Sequence, residues 1–507
     1  MKTRLPLKFL TALFGASFVI SACTAGGMGL RQPTPSPSPQ PAAAATPEPE
    51  PTRIPEGYVE YATQSGDTLP AICAHFGVQP YQVISADVLD QERILDPGIP
   101  LLIRDVLGET SRPDILFPDS EFVYSRSAMD FDIQEFADEQ GGYLADYAEL
   151  MTRGTTPASE ILQELALGFS INPRLFLTLI EHGSGWVTRQ PQTLEEKRYP
   201  MGWIRSDRAG IYAQTGLLIR QLLQGYYNWR AGTLDTLAFL DGSSLRLSPF
   251  LNAGTVGVMY ALAQYLDRPA WEAALYGSGN LAEVHERLFG DMQALSEGSD
   301  PLFGPDVEQP LLNLPIPINQ KWAFTNGPHP AWGLYGPHAA LDFAAAGDSG
   351  CNVSKRFALA AAMGRVVRAG NGAVALDLNG DGYEQTGWVL VYMHIANSGR
   401  AQLGDILQTD DPVGHPSCEG GPATGAHMHI ARKYNGEWVL ADGGLPFVLS
   451  GYRAHNGTRD CVGNRECKGT LENGERTITA DAYGNAGTIT IRPESLPKYF
   501  FTPTPKK

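Results

Sequence analysis

The segment Thr424-Gly425-Ala426-His427-Met428-His429-Ile430 places two imidazoles two residues apart among strand-forming side chains. Side chains two apart in a strand share a face, so His427 and His429 should project together while Met428 and Ile430 enter the opposite layer. Val391-Tyr392-Met393-His394-Ile395 repeats the pattern, with Tyr392 and His394 expected on a polar face and Val391 and Met393 on a buried one. Ala340-Leu341-Asp342-Phe343 sets a carboxylate in an otherwise apolar strand, a costly burial unless the group is paired or metal-bound. Three protein ligands with a fourth position left open is how a hydrolytic zinc site is built. The expected chemistry is Lewis-acid hydrolysis assisted by imidazoles that exchange protons near neutral pH.

The elements that must position these groups lie beyond Pro305, where the sequence turns Gly-rich and alternating. Arg365 to Arg368, Ala373 to Leu378, Trp388 to Ile395, His427 to Ala431 and Trp438 to Ala441 read as strands by period-two patterning or β-branched and aromatic content. Asp377-Leu378-Asn379-Gly380-Asp381-Gly382 opens like a calcium loop, but Trp388 stands where the closing carboxylate belongs, so a hairpin turn is expected. Upstream, residues 119 to 292 are helix-rich. Apolar side chains recur at three and four spacing over Glu160 to Leu167, Pro173 to Glu181, Ala213 to Tyr226, Leu234 to Leu240, Ala253 to Leu266 and Leu281 to Leu288. Asn172-Pro173 forms a helix start, a capping side chain followed by a proline that needs no N–H partner.

The 507 residues suffice for about three domains. Lys and Arg total 38 against 55 Asp and Glu, a balance of -17 that argues against a nucleic-acid-binding surface spread over the protein. Lys2, Arg4 and Lys8 precede an uncharged run from Phe9 to Ala22, the layout of an export signal. That run is too short to span a membrane comfortably. The following stretch from Arg31 to Pro55 carries nine of the 38 prolines and reads as an extended tether. Apart from Cys23, five cysteines remain. Cys461 and Cys467 are close enough to staple a loop, and Cys351 with Cys418 is the remaining pair, which leaves Cys73 free.

Ile20-Ser21-Ala22-Cys23 resembles the bacterial lipoprotein lipobox, which implies signal removal after Ala22 and a lipid on Cys23 that anchors the chain outside the cytoplasm. Residues Tyr61 to Arg104 resemble the LysM peptidoglycan-binding module, through Gly66-Asp67-Thr68-Leu69, Phe76-Gly77-Val78 and Pro97-Gly98-Ile99-Pro100-Leu101. The resemblance implies a two-stranded sheet with two helices, the second carrying Val83 and Ile84, and glycan contact at Gly66, Asp67 and Thr68. Asp87 departs from the Asn usual in that family. The helix ending Leu175-Phe176-Leu177-Thr178-Leu179-Ile180-Glu181-His182-Gly183-Ser184 loosely resembles the first active-site helix of lysozyme-like transglycosylases. There Glu directly precedes Ser; here Glu181 lies three residues before Ser184, and no second catalytic carboxylate is identifiable.

Residues from about Asn319 to Lys468 resemble the lysostaphin-like and beta-lytic zinc metallopeptidases. The motifs are Gly327-Pro328-His329, Ala340-Leu341-Asp342, Tyr392-Met393-His394, Cys418-Glu419-Gly420-Gly421, Thr424 to His429 and Tyr434-Asn435-Gly436, nearest to the beta-lytic branch. The resemblance implies Zn2+ held by His329, Asp342 and His429, with His394 and His427 as the unliganded catalytic pair. It also implies that Tyr392 orients the substrate and that Cys461 and Cys467 staple a C-terminal loop. His338 occupies the first-ligand position of the lysostaphin branch; His329 is preferred for its Gly-x-His context. Cys351 does not fall where the beta-lytic partner of Cys418 lies, so the resemblance leaves that disulfide unsupported.

The expected organisation is multidomain: signal peptide 1–22, lipidated cysteine and tether 23–56, a small α+β LysM module 57–105, and an all-α middle domain 115–298. A mainly-β antiparallel-sheet metallopeptidase domain 305–450 and a C-terminal extension 451–507 follow. The expected function is a zinc-dependent endopeptidase hydrolysing peptide cross-links or stems of peptidoglycan in the cell envelope, with glycan strand and membrane as further partners and no nucleic acid. The alternatives are a non-catalytic wall scaffold or hydrolase activator, and a bifunctional enzyme using Glu181.

Overall fold

A computed structural model describes residues 54–457, 469–481 and 486–492. The expected signal peptide, Cys23, nearly all of the tether, and Cys461 with Cys467 lie outside these residues. Among the described residues no helix is long and apolar enough to cross a membrane. The described segments from Ile54 onward form one compact unit.

The first segment is a three-stranded antiparallel sheet with β1 (Tyr58–Ala62) and β2 (Val83–Ser85) flanking β3 (Pro100–Arg104), crossed by helix α1 (Leu69–Phe76). The Thr68 hydroxyl accepts from Ala71 N, and Gly77 closes α1 in the left-handed region at φ 67. Tyr61, Leu69, Ile72, Phe76, Leu101 and Ile103 form its core. Val83 and Ile84 were expected on a helix and instead form β2. Three residues are too few to recover a helix nucleus, and β-branched side chains fit the edge of β3.

The middle segment packs α2 (Ala158–Phe169), α3 (Pro173–Ser184), α4 (Ile211–Arg230), α5 (Ala253–Ala263) and α6 (Leu281–Phe289) around one apolar core. Helices α4 and α5 approach so closely that a Cβ on Gly225 would stand 3.0 Å from the Gly257 Cα. The segment is not all-α, because hairpins form at Ala148–Met151 with Gly154–Pro157 and at Thr236–Ala238 with Ser244–Arg246. The second replaces the helix expected over Leu234 to Leu240. Asp241 accepts from Ser243 N, and Gly242 at φ 83 supplies the turn, so Leu237 and Leu245 face inward together.

Strands β4 (Trp322–Pro330), β5 (His338–Ala345), β6 (Gly364–Gly370), β7 (Ala373–Asp377), β8 (Trp388–Met393) and β9 (Met428–Tyr434) build a nine-stranded sheet with three short strands. Its main path runs β6-β7-β8-β9-β5-β4, antiparallel throughout. Glu437–Trp438 is all that forms of the strand expected over Trp438 to Ala441; it turns back onto β9 through Asn435 and Gly436, both at positive φ. The turn after β7 is a hairpin connection, with Asp377 accepting from the backbone N–H of Asn379, Gly380 and Gly382.

Alternation along the strands divides the sheet into two faces. Leu341, Phe343, Leu390, Tyr392, Met428 and Ile430 enter a core closed by Trp322, Phe324, Phe447 and Leu449. Ala340, Ala375, Val389, Val391, Met393 and Ala431 join the core of the helical segment instead. The helices thus cover one face of the sheet. Arg230 ties all three segments together from α4, donating to Asp119, to Glu437 and to the backbone oxygen of Ser65.

Candidate metal centre

Asp342 and His429 are register partners on β5 and β9, and both belong to the face that the helices cover. His329 reaches them from β4 because the strand bulges around Gly327-Pro328. A Cβ on Gly327 would stand 2.5 Å from the Gly469 Cα, so only glycine fits there. The donor atoms form a small triangle. His329 Nε2 lies 3.0 Å from His429 Nδ1, and each is 3.3 Å from Asp342 Oδ1. Zinc at 2.0 to 2.2 Å from each atom in tetrahedral geometry would give ligand separations of about 3.3 to 3.6 Å.

The outer ring nitrogens settle the tautomers. His329 Nδ1 donates to Gly327 O at 2.8 Å and His429 Nε2 to Ala331 O at 3.0 Å, so in the neutral rings both inner nitrogens present lone pairs to one another. Asp342 Oδ1 is buried and has no hydrogen-bond partner. Two lone pairs and an unpartnered carboxylate oxygen directed at one point need a cation between them, and the set of two imidazoles and a carboxylate suits Zn2+. Without a cation the cluster favours a proton. Burial opposes charge on His329, but Asp342 outweighs it and holds the imidazole pKa above its ordinary value. Burial likewise opposes ionisation of Asp342, yet the surrounding His329 and His427 keep its carboxyl well below the usual range. Burial lowers the pKa of His429.

Two more imidazoles border the triangle. His427 Nδ1 donates to Gly425 O at 2.8 Å, and its Nε2 stands 3.6 Å from Asp342 Oδ2. His394 Nδ1 donates to Glu419 O at 2.8 Å, and the His394 and His427 ring centroids are 4.4 Å apart. Burial, with His427 and His429 nearby, pushes the His394 pKa down to about 4. His394 is therefore neutral near pH 7, with Nε2 free to accept a proton. The side chains of His427 and His329 are 16% and 13% exposed, enough to leave the cluster an opening to solvent.

The structure thus brings His329, Asp342, His394, His427 and His429 together. His338 begins β5 opposite Pro330 and is not part of the donor triangle. Tyr392 requires correction: it does not share a face with His394. It is fully buried in the opposite core, where its hydroxyl accepts from Ala361 N, and it has no place in substrate binding. The parity argument fails because β8 ends at Met393 and His394 takes φ 60, a left-handed backbone that turns its ring back toward the metal cluster.

Asp67 also requires correction. Asp67 is buried, accepting from Tyr61 Oη and Gln64 N, and burial raises its pKa to about 6. Thr68 caps α1 and packs against Gly444, while Arg230 lies where a Gly66 Cβ would stand. The Asp67 carboxylate is thus engaged within the protein, whereas Gly66 and Thr68 border a small cavity shared with Ile94, Arg230, Glu437 and Gly444. Glu181 is engaged too, accepting from Val187 N, Thr188 N and the Thr188 hydroxyl, with Arg287 3.4 Å away. Cys351 and Cys418 form a disulfide, and Cys73 is a free, buried thiol. Sequence reading missed the left-handed His394, for which the strand pattern carries no signal. It also missed the tautomer-fixing carbonyls of Gly327, Ala331, Glu419 and Gly425; only the glycines hinted at backbone held close to the site.

Residues 115–301 match the family model of the LasA N-terminal domain. Protease LasA of Pseudomonas aeruginosa, in strains UCBPP-PA14 and PAO1, is 27% identical over 387 residues, covering 72% of this chain and 84% of the relative. Among solved structures, the deep-sea M23 metalloprotease pseudoalterin is 24% identical, with a TM-score of 0.28, over 34% of this chain and 96% of that one. The catalytic domain of lysostaphin from Staphylococcus simulans is 24% identical, with a TM-score of 0.19, over 24% of this chain and 90% of that one.

Proposed function

We propose that the protein is a zinc metalloendopeptidase that hydrolyses peptide cross-links or stems of bacterial peptidoglycan. The observation that carries this reading is the donor triangle of His329, Asp342 and His429 beside two imidazoles whose Nδ1–H groups are committed to backbone carbonyls. The similarity to a relative named a protease supports peptide hydrolysis. The peptidoglycan substrate rests on the beta-lytic motifs in the sequence.

Bound zinc would supply Lewis acidity at the scissile carbonyl and lower the pKa of a water toward about 7. The chain's own part is proton handling and orientation. His394 and His427 offer Nε2 as the acceptor of the attacking water's proton, the Nδ1 bonds having fixed each ring's orientation beforehand. Once protonated, either ring can donate to the departing amine or hold the negative charge that develops on the carbonyl oxygen. On the same reading the chain is exported and lipid-anchored at Cys23, and residues 57–105 help retain it on the wall.

The test is zinc content of the purified protein measured alongside release of new amine ends from isolated peptidoglycan. One zinc per chain, amine release, and a His427→Ala variant that keeps zinc but loses cleavage are expected. Zinc-loaded protein that released no amine ends would refute the reading.

A further inference from the structure

Two loops hold the unliganded histidines, and the Cys351–Cys418 disulfide joins them across 67 residues of sequence. On the Cys418 side, Ser417 donates through N at 2.6 Å and Oγ at 3.0 Å to the His394 carbonyl, and its own carbonyl accepts from His427 N at 3.3 Å. Glu419, next in sequence, supplies the carbonyl that holds His394 Nδ1. On the Cys351 side, the adjoining Gly350 carbonyl accepts from Ala426 N at 2.7 Å, immediately before His427. Both neighbours of Cys418 therefore grip His394, and the neighbour of Cys351 grips the approach to His427. His329, Asp342 and His429 are held differently, by the β4–β5–β9 ladder and the carbonyls of Gly327 and Ala331.

We propose that the Cys351–Cys418 disulfide positions the His394 and His427 pair without holding the metal, so that its reduction lowers turnover while leaving the zinc site intact. The left-handed backbone of His394 gives the staple something to do. A non-glycine residue at φ 60 persists only where its surroundings over-determine it, and here the determinants are the residues flanking Cys418. Loosening that loop lets His394 relax toward extended backbone, which by strand alternation would turn its ring away from the cluster.

This inference rests on the proposed peptidase reading and is tested on the full chain loaded with zinc. Tris(2-carboxyethyl)phosphine is the reductant: one phosphine and one water convert the disulfide to two thiols, the phosphine gaining the water's oxygen and each sulfur one of its hydrogens. A Cys351→Ser, Cys418→Ser double variant controls for zinc capture by the freed thiols. Reduced protein and double variant should keep one zinc per chain and lose kcat about 10- to 100-fold, the scale seen when partners that orient a site are removed. KM for a soluble cross-linked muropeptide should change little, and reoxidation should restore the wild-type protein. Unchanged kcat at full zinc content, or zinc lost in step with activity, would overturn the proposal. A readout that needs no activity separates this failure from failure of the peptidase reading. Imidazole 15N spectra should show the Nδ1–H tautomers of His394 and His427 averaging on reduction, with His329 and His429 unchanged; histidine signals that all survive reduction would overturn it equally.

Discussion

Replacing Asp342 with Ala should abolish zinc-dependent stabilisation of the protein. Asp342 Oδ1 is buried without a hydrogen-bond partner, 3.3 Å from each ligand nitrogen, where a cation held by the two imidazoles would meet it. Free zinc a hundredfold above its dissociation constant adds about 2.7 kcal/mol to the native state. For a cooperative unit of about 150 to 250 residues that is roughly 5 to 10 °C in Tm. In Asp342→Ala the shift should fall below about 1 °C, because two imidazoles alone leave the tetrahedral set short of its charged ligand. The Tm without zinc should fall as well, since the buried carboxylate that His329 and His427 hold well below its usual range contributes stability at neutral pH that the variant loses. Differential scanning calorimetry with and without zinc, after chelation and dialysis, reads both quantities. His329→Ala should behave like Asp342→Ala, whereas His338→Ala should keep the full shift. An Asp342→Ala protein that retained the wild-type zinc shift would refute the assignment of the triangle.

Gly168→Val should slow hydrolysis about tenfold or more, measured as amine release, because a Cβ there would lie 2.4 Å from Trp332 Nε1 and must displace the loop whose Ala331 carbonyl orients His429. Burial lowers the His75 pKa from 6.5 to about 4, so the ring is neutral in its stack against Trp229. Its contribution is complete above about pH 6.5 and is lost as pH falls toward 4, at most about 3 kcal/mol, which urea titrations at pH 7 and 4.5 should show and His75→Gln should flatten. Arg230→Met should cost about 3–5 kcal/mol in the same titrations by leaving Asp119 and Glu437 without their buried partner. Glu181→Gln should lower stability by about 1–3 kcal/mol through its lost acceptors while leaving amine release intact, and neither protein should free reducing sugar ends from the wall.

Residues lying within regular strands were the most legible part of the site. Asp342 and His429 stand out as polar groups at inward positions of apolar strands, and their shared face follows from alternation. His329 could not be reached that way, because the bulge at Gly327-Pro328 breaks the count; only the motif resemblance singled it out. His394 and Tyr392 show the opposite failure, where alternation was applied one residue past the end of the strand and one left-handed residue reversed the face. Glycan contact at Asp67 follows from the motif alone, whereas Tyr61 and Gln64 of the same segment occupy its carboxylate. Arg230 and Gly444, which crowd Gly66 and Thr68, arrive from residues more than 150 positions away. Leu234 to Leu240 carried helical spacing by accident of composition, and the Asp241-Gly242 turn beside it was the better guide.

The helical segment is part of what shapes the metal centre. Its core is continuous with the sheet face on which Asp342 and His429 stand, through Ala340, Val391, Met393 and Ala431. Where the helices end, α2 presents Gly168 and Phe169 to Trp332 and Gly333, and Arg220 of α4 lies 4.6 Å over the Tyr335 ring. Trp332 also carries Arg368, 5.1 Å over its ring, and Arg368 is held by buried Glu384, which also pairs with Lys433. Lys433 in turn donates to Leu167 O and closes the circuit onto α2. The loop from Ala331 to Pro337 is therefore fixed by both segments, and its first carbonyl sets the orientation of the His429 ring. Outer partners that orient a ligand ring influence metal affinity and activity about 10- to 100-fold. A change in the helical segment at Gly168 should accordingly reach the metal centre through one tryptophan and one carbonyl, with no residue of the donor set altered.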